Sequence, residues 1–409
     1  MAISVLSGSP QAATPVYNKM LFKVSGSLTS GTNYRYVCDV KDAAGTTTLA
    51  RLKCDKLPTT NYGFFDVSRV VETLIAPTVP TLTQAGFADH AGFYSGYRLT
   101  FMEEYGSTPV VQTGTTTNVT GNIAFAGNLE QLELADWSGG VYFPSNALQG
   151  GEKALTTTTD VVLTSPKNAI KQVYSDSYGW LCVGAGYSGA VVSARVAYFD
   201  SAGNLIRFFD VSRPLSVSGS IHRFGAGPMN LKALTSGQCS DGQAGSVGFP
   251  TAEGSSYTIA FEDSGAGNFS VYYTYTIGPC QRFNSQPVHF VNKYGGIDSY
   301  TFTLKNRKRA NVERDTFGYN SDVYATLTYD KVWAGSFDYV YALNSDWLTD
   351  AESEWLIEMV RSGQVWLEIN GELVEGIVNA NQYQFVTRRN DQLQQLQIEI
   401  AVAYKNNIL

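Results

Sequence analysis

Apolar and polar residues alternate with a period of two along much of this chain, the period of a half-buried strand. Val192, Ala194, Val196 and Tyr198 alternate with Ser193, Arg195 and Ala197. Residues 34–40 and 46–53 flank Asp42-Ala43-Ala44-Gly45 and predict a hairpin. Residues 97–105 and 109–112 predict further strands. Residues 200–204 turn and 205–209 return, and 257–262 with 269–277 predict a hairpin around Ser264-Gly265-Ala266-Gly267. The helical period is scarce. Asp66 or Ser68 can cap a short helix over 69–74. A stronger signal is Thr349-Asp350-Ala351-Glu352, a capping box. Ala351, Trp355, Leu356 and Met359 then form an apolar stripe and Gly363 fits the C′ position, so a helix is expected near 350–362. Strands over 365–369, 373–378 and 393–404 follow, the first two joined at Asn370-Gly371.

Superposed on this pattern is an internal repeat. Phe64-Phe65-Asp66-Val67-Ser68-Arg69 recurs letter for letter as Phe208-Phe209-Asp210-Val211-Ser212-Arg213. Val5-Leu6-Ser7 and Val16-Tyr17 also match Val162-Leu163-Thr164 and Val173-Tyr174 at an offset of 157. A turn precedes each hexapeptide and a strand follows it, with Tyr97 and Phe101 set against Tyr257 and Phe261. Repeats of this kind indicate duplicated units. The expected organisation is a β-sandwich over 1–122, a packed connector over 123–154, a second copy over 155–280 and a third domain over 281–409. The second copy is expected to lack the short helix, because Pro214 follows Arg213. The connector is rich in Gly and Asn, but Ile123, Phe125, Leu132, Leu134, Trp137 and Tyr142 make it too apolar for a free linker.

Composition agrees with a strand-rich fold. Of 409 residues 44% are hydrophobic and only 16% charged, and Gly, Thr, Ser and Tyr are abundant. The net charge of -7 argues against a nucleic-acid-binding surface spread over the molecule, so DNA contact is not expected. Residues 1–7 have neither a basic nor an apolar region, so no secretory signal is expected, and no apolar run reaches the length of a membrane span. Five cysteines, with no Cys-x-x-Cys, predict reduced thiols rather than a disulfide framework.

Candidate chemistry is sparse. Gly184-Ala185-Gly186-Tyr187-Ser188-Gly189 has the glycine spacing of a dinucleotide-binding turn. That reading requires a helix next, and Ala190–Val196 reads as a strand, so no cofactor is expected. His90, His222 and His289 are isolated in sequence and show no zinc-ligand spacing, so no metal is expected and a structural or surface role is read for them. Glu103-Glu104 and Glu352, Glu354 and Glu358 are carboxylate groups, but glycosidase chemistry needs a pair set across a cleft. The second group reads as a solvated helix face. No residue is expected to be catalytic. Tyr272-Tyr273-Thr274-Tyr275 reads as core or interface before it reads as a sugar platform. The notable charge cluster is Lys305, Arg307, Lys308 and Arg309. It reads first as a solvated loop or strand edge, next as a contact with a neighbouring subunit, and last as a contact with DNA phosphates.

The third part carries a resemblance. The run from Pro287 to Phe302 contains Phe290-Val291-Asn292-Lys293-Tyr294-Gly295-Gly296-Ile297-Asp298 and resembles a strand-turn-strand unit of virion structural proteins of tailed bacteriophages, especially those infecting Bacteroidetes. Leu348-Thr349-Asp350-Ala351-Glu352-Ser353-Glu354-Trp355-Leu356 and Arg389-Asn390-Asp391-Gln392-Leu393 are similar to the same group, and Leu163-Thr164-Ser165-Pro166 resembles it less closely. Ser299 stands where the related pattern has an aromatic residue. The resemblance covers about residues 287–403. It implies a tail, neck or baseplate-proximal component built of β-sandwiches and assembling into rings or symmetric complexes.

The expectation is therefore a mainly β protein: two tandem immunoglobulin-like sandwiches, then a mixed β-domain with one short helix. Its expected role is that of a non-enzymatic virion subunit, assembled in the host cytoplasm and binding copies of itself and other virion proteins. The alternative is a glycan-binding module of a receptor-binding fibre or adhesin.

Overall fold

The computed structural model describes residues 3–7, 10, 13–27, 29–130, 134, 152–153, 161–162, 170–184, 191–214, 221–263, 272–279, 285–319, 329–379, 393–403 and 406–408. Most of the connector over 123–154 lies outside the described residues, as do 185–189 of the glycine-rich motif, the 264–267 turn, 163–166 and 389–392.

The first two parts are β-sandwiches of one topology. In the first, Ser4–Val5, Leu21–Ser25 and Tyr62–Asp66 form a three-stranded antiparallel sheet. It is joined by a five-stranded sheet in the order Ala13–Pro15, Val110–Phe125, Tyr94–Tyr105, Arg35–Asp42, Thr48–Asp55, with the first pair parallel. The second repeats this order with Ile170–Val173, Tyr273–Ile277, Ser256–Asp263, Val191–Phe199 and Leu205–Ser212, again with a parallel first pair. Its other sheet aligns Val161–Val162, Trp180–Gly184 and Ile221–Gly225. Alternate residues face inward, so Tyr36, Cys38 and Val40 are buried in one half and Ala194, Val196 and Tyr198 in the other.

Strand register corrects the alignment suggested by the hexapeptide. Val5 pairs with Val24 as Val162 pairs with Val183, so the match at an offset of 157 is structural. Phe22 pairs with Phe65 as Leu181 pairs with Phe224, which makes Phe224 the counterpart of Phe65. Phe208 and Phe209 lie instead on the return strand of the hairpin, at the places of Arg51 and Leu52. The two hexapeptides thus sit in different sheets. Likewise Leu99, not Tyr97, stands opposite Val40 as Tyr257 stands opposite Tyr198. A slip of two residues keeps the same face inward, which is why the aromatic pattern still looked aligned.

With this register the helices also correspond. The first, α1 (Ser68–Glu72), follows Tyr62–Asp66, and its buried side chains are Ser68 and Val71. Asp66 Oδ1 accepts hydrogen bonds from the Ser68 amide (3.1 Å) and hydroxyl (2.7 Å). The second, α2 (Pro228–Lys232), follows Ile221–Gly225. The expectation that the second copy lacks this helix is therefore corrected. Pro214 lies beyond the return strand, whereas Pro228 opens α2, where its missing N–H costs nothing.

The halves are interlocked. Phe87–Asp89 leaves the first sandwich and pairs antiparallel with Ile221–Gly225 of the second. Asn230 of α2, fully buried, donates to the carbonyls of Leu82 (2.7 Å) and Gln84 (2.8 Å) and accepts from the Gly179 amide (3.0 Å). Asn230→Ala is expected to destabilise the protein by about 2–4 kcal/mol, because it strands buried backbone groups. Urea denaturation checks this, and a loss below about 0.5 kcal/mol would mean that water replaces the amide.

The third part is an eight-stranded sheet in the order Ile297–Phe302, Gln286–Val291, Val365–Ile369, Glu372–Val378, Gln397–Val402, Tyr329–Asn344, Arg307–Tyr319, with Asn406–Ile408 also on Tyr329–Asn344. Helix α3 (Asp350–Arg361) buries Trp355, Leu356 and Met359 against it. Asn370 and Gly371 have φ of 52° and 79°, the left-handed pair that a two-residue I′ hairpin turn requires. The chain is thus mainly β: two sandwiches of repeated topology and a mixed β-domain with a helix.

Candidate interaction surface

The segment that carries the phage resemblance is a joint. Gln286–Val291 and Ile297–Phe302 form the expected strand-turn-strand unit. Asn292 Oδ1 accepts from the Tyr294 (3.0 Å) and Gly296 (2.9 Å) amides and closes the turn. Gly295 has a φ of 80°, which suits glycine. The buried carboxylate of Asp298 accepts from Trp355 Nε1 (2.8 Å) and ties the unit to α3. The tip enters the first sandwich, whose core includes Tyr294, Val291 and Ile297 as well as Trp180 and Cys182 of the second. These motif residues bind the three parts together.

His90 lies at the same joint, fully buried and stacked on Phe93 at 3.8 Å. Its Nε2 is 2.9 Å from the Gly295 carbonyl, so it carries the proton and donates. Burial drives its pKa from 6.5 down to about 3, and the charges of Arg223 and His222 add to this. His222 is held near 4, first by burial and then by Arg213, whose guanidinium donates to His222 Nε2 at 2.7 Å. His289 is buried too, with Nδ1 2.8 Å from Ser299 Oγ. All three histidines are therefore internal. Among the described residues no group of three or more His, Cys, Asp or Glu side chains gathers to hold a metal. Cys38, Cys54, Cys182 and Cys239 are free thiols, and burial pushes that of Cys182 up to about 12. A strand, Val191–Phe199, follows the glycine-rich motif, as expected.

Of the tyrosine run, Tyr273 and Tyr275 are core and Tyr272 is exposed. Glu103 and Glu104 are both buried, Glu103 accepting from the Tyr34 hydroxyl (2.7 Å) and Glu104 paired with Lys53 (2.7 Å). They are structural partners inside the first sandwich.

The basic cluster opens a long hairpin. Arg307–Tyr319 pairs with Tyr329–Asn344 from Arg307↔Ala342 to Tyr319↔Tyr329. The pleat divides the cluster. Lys308 sits over the Tyr339 ring at 3.7 Å, on the face of Tyr341, while Arg307 and Arg309 lie on the opposite face. Arg309 pairs with Glu399 across the sheet. Among the described residues neither Lys305 nor Arg307 forms an ion pair.

Beyond the cluster the hairpin outruns its support. Gln397–Val402 covers only Val340–Asn344 and Asn406–Ile408 only Gly335–Phe337. Thr316–Tyr319 and Tyr329–Val332 pair with each other alone among the described residues. Side chains on this two-stranded ribbon and at its bulge are exposed: Phe317 43%, Val332 46% and Trp333 69%. The register shift after Asp315 leaves Trp333 as the extra residue of a bulge, a device that re-aims a side chain. The sequence reading singled out the charges and missed the ribbon. The alternation of Phe337, Tyr339, Tyr341 and Leu343 was the available signal for its inner half.

No helix among the described residues is long and apolar enough to cross a membrane. No protein-family model matches the chain, and no curated protein matches it. Solved structures matched at 7% identity include fibronectin(III)-like modules of Clostridium thermocellum CbhA, with a TM-score of 0.16 over 68% of this chain and 94% of that one. Dimeric latent PorU of Porphyromonas gingivalis matches at 7% identity with a TM-score of 0.19, over 84% of this chain and 32% of that one. Trypsin-activated alpha-2-macroglobulin from Escherichia coli, also at 7%, has a TM-score of 0.16 over 100% and 37%. This chain thus spans about a third of the latter two proteins. Likeness at this level carries no argument about what the chain does.

Proposed function

We propose that the chain is a non-enzymatic structural subunit of a tailed-phage virion, in the tail or neck, that works by contacts with copies of itself and with other virion proteins. The observation that carries the assembly part of this reading is the ribbon. A two-stranded arm that exposes Trp333 and Val332 to solvent loses free energy in water and regains it against a partner. A large half-rigid aromatic such as Trp333 is the kind of residue on which interface energy concentrates. The eight-stranded sheet of the third part gives the arm its base, and symmetric repetition would multiply modest contacts. The virion assignment rests on the resemblance of residues 287–302, whose motif is structural. Lys305 and Arg307, beside the root of the arm, are the proposed polar contacts, while Lys308 and Arg309 have partners within the chain.

Trp333→Asp tests this in the full-length chain. Light scattering is expected to show a discrete oligomer for the parent and association weakened by about a hundredfold or more in the variant. The exposed site should leave the unfolding transition unchanged. A parent that stays monomeric at high concentration, or a variant that assembles normally, would remove the ribbon from this role.

A further inference from the structure

A cleft of about 110 Å³ lies between the second sandwich and the third part. Tyr174 and Tyr178 line it from one side, and Tyr300, Asp346, Trp347 and Glu352 from the other. Among the described residues that line it none is Lys, Arg or His. Trp347 is 51% exposed, so its indole is open to solvent at the mouth. The two carboxylates act on the phenols beside them. Burial raises the Tyr300 phenol above its usual range, and Glu352, Tyr174 and Asp346 raise it further. Burial also raises the Tyr174 phenol, and Asp346 acts in the same direction. A negative potential therefore reaches the aromatic side chains on both walls.

These groups select by charge. An anion would meet two carboxylates and no counter-charge. A neutral polar group gains hydrogen bonds in such a cleft. A cation with N–H groups gains those bonds in their stronger, charge-assisted form, and attraction to the negative faces of aromatic rings as well. The polar share of the walls then decides among cations. Carboxylate and phenol oxygens accept hydrogen bonds. A quaternary ammonium has no N–H to give them, and would take water from them without replacing it. A guanidinium presents its donors in a fixed fork that suits one carboxylate, whereas an ammonium has three donors that rotate. Here the carboxylates come from separate places, Asp346 ahead of α3 and Glu352 within it. We infer that this cleft binds a primary alkylammonium group, with its N–H groups shared between Asp346 and Glu352 and its methylene stem lying against Trp347. The inference is independent of the ribbon, which belongs to another part of the third domain.

The test titrates the full-length chain by calorimetry with 1,5-diaminopentane and with Nα-acetyl-lysine amide. Nα-acetyl-norleucine amide serves as the uncharged analogue, and tetramethylammonium and Nα-acetyl-arginine amide as the other cations. Saturable binding of a primary amine is expected, at least about tenfold tighter than that of the norleucine compound. Glu352→Gln is expected to weaken it about tenfold and Trp347→Ala about threefold or more. Binding of the lysine compound alone would assign the group to a polypeptide side chain, and binding of the diamine alone to a free amine. Two variants are used so that a folding defect in one, read from its unfolding transition, leaves the other decisive. Absence of binding of both amines up to about 10 mM would overturn the inference. So would equal binding of the norleucine compound, tighter binding of either other cation, or binding unaffected by both substitutions. Light scattering on Trp347→Ala, expected to give the parental mass, separates this outcome from failure of the assembly role.

Discussion

Phe101→Ala is expected to destabilise the whole molecule by about 3–5 kcal/mol, not the first sandwich alone. Phe101 is fully buried, with its ring centroid 6.0 Å from that of Phe22 and 5.8 Å from that of Phe65. The cavity left by its ring would face both sheets. The same core contains Trp180 and Ile221 from the second sandwich and Tyr294 and Trp366 from the third part. Domain stabilities are of the order of 5–15 kcal/mol, so this loss is a large share of the total. Urea unfolding followed by far-UV circular dichroism and by tryptophan fluorescence is expected to move as one transition. A variant in which the first signal moves and the fluorescence signal stays would show that the parts unfold separately.

Acidification is expected to be the other large effect. His90 and His222 fall from an unfolded value near 6.5 to about 3 and about 4 in the folded chain. The unfolded state therefore binds more protons between these limits, and stability rises with pH there. Their contribution is fully present above pH 6.5 and is lost as pH falls toward 4 and then 3. Each histidine costs about 1.4 kcal/mol per pH unit while it titrates, so the pair costs close to 3 kcal/mol per unit. Ordinary carboxylates titrate mainly below pH ~4.5, so the upper part of this window reports the histidines. Urea denaturation from pH 7 to pH 4.5 is expected to show this slope. A flat profile would mean that water reaches the joint and solvates the imidazolium.

Local structure was readable because its causes are local. The Asn370-Gly371 turn, the capping-box helix α3 and the hairpin at Asp42–Gly45 each follow from a few adjacent residues. The repeat was readable from short matches, but the longest match misled. Its residues alternate as any edge or face strand does, so identity in sequence did not imply identity of place. Strands of three or four residues, such as Ala13–Pro15, Ile170–Val173 and Phe87–Asp89, have too little length for a period, and their partners lie far along the chain. The basic cluster was visible as composition, yet only the pleat shows that Lys308 and its neighbours face opposite ways. The cleft was invisible because Trp180, Tyr300 and Trp347 meet only through the docking of two parts.

The crossing of Phe87–Asp89 into the neighbouring sheet has a consequence for how such a chain can be cut or inherited. After a duplication, two copies are ordinarily separable modules, free to be lost or recombined. Here the first copy supplies an outer strand to the second, so a fragment begun after the first sandwich would expose Ile221–Gly225 as a bare edge. Bare edges recruit other strands, and such a fragment is expected to aggregate or exchange strands between molecules. The duplicated halves have become a single heritable unit.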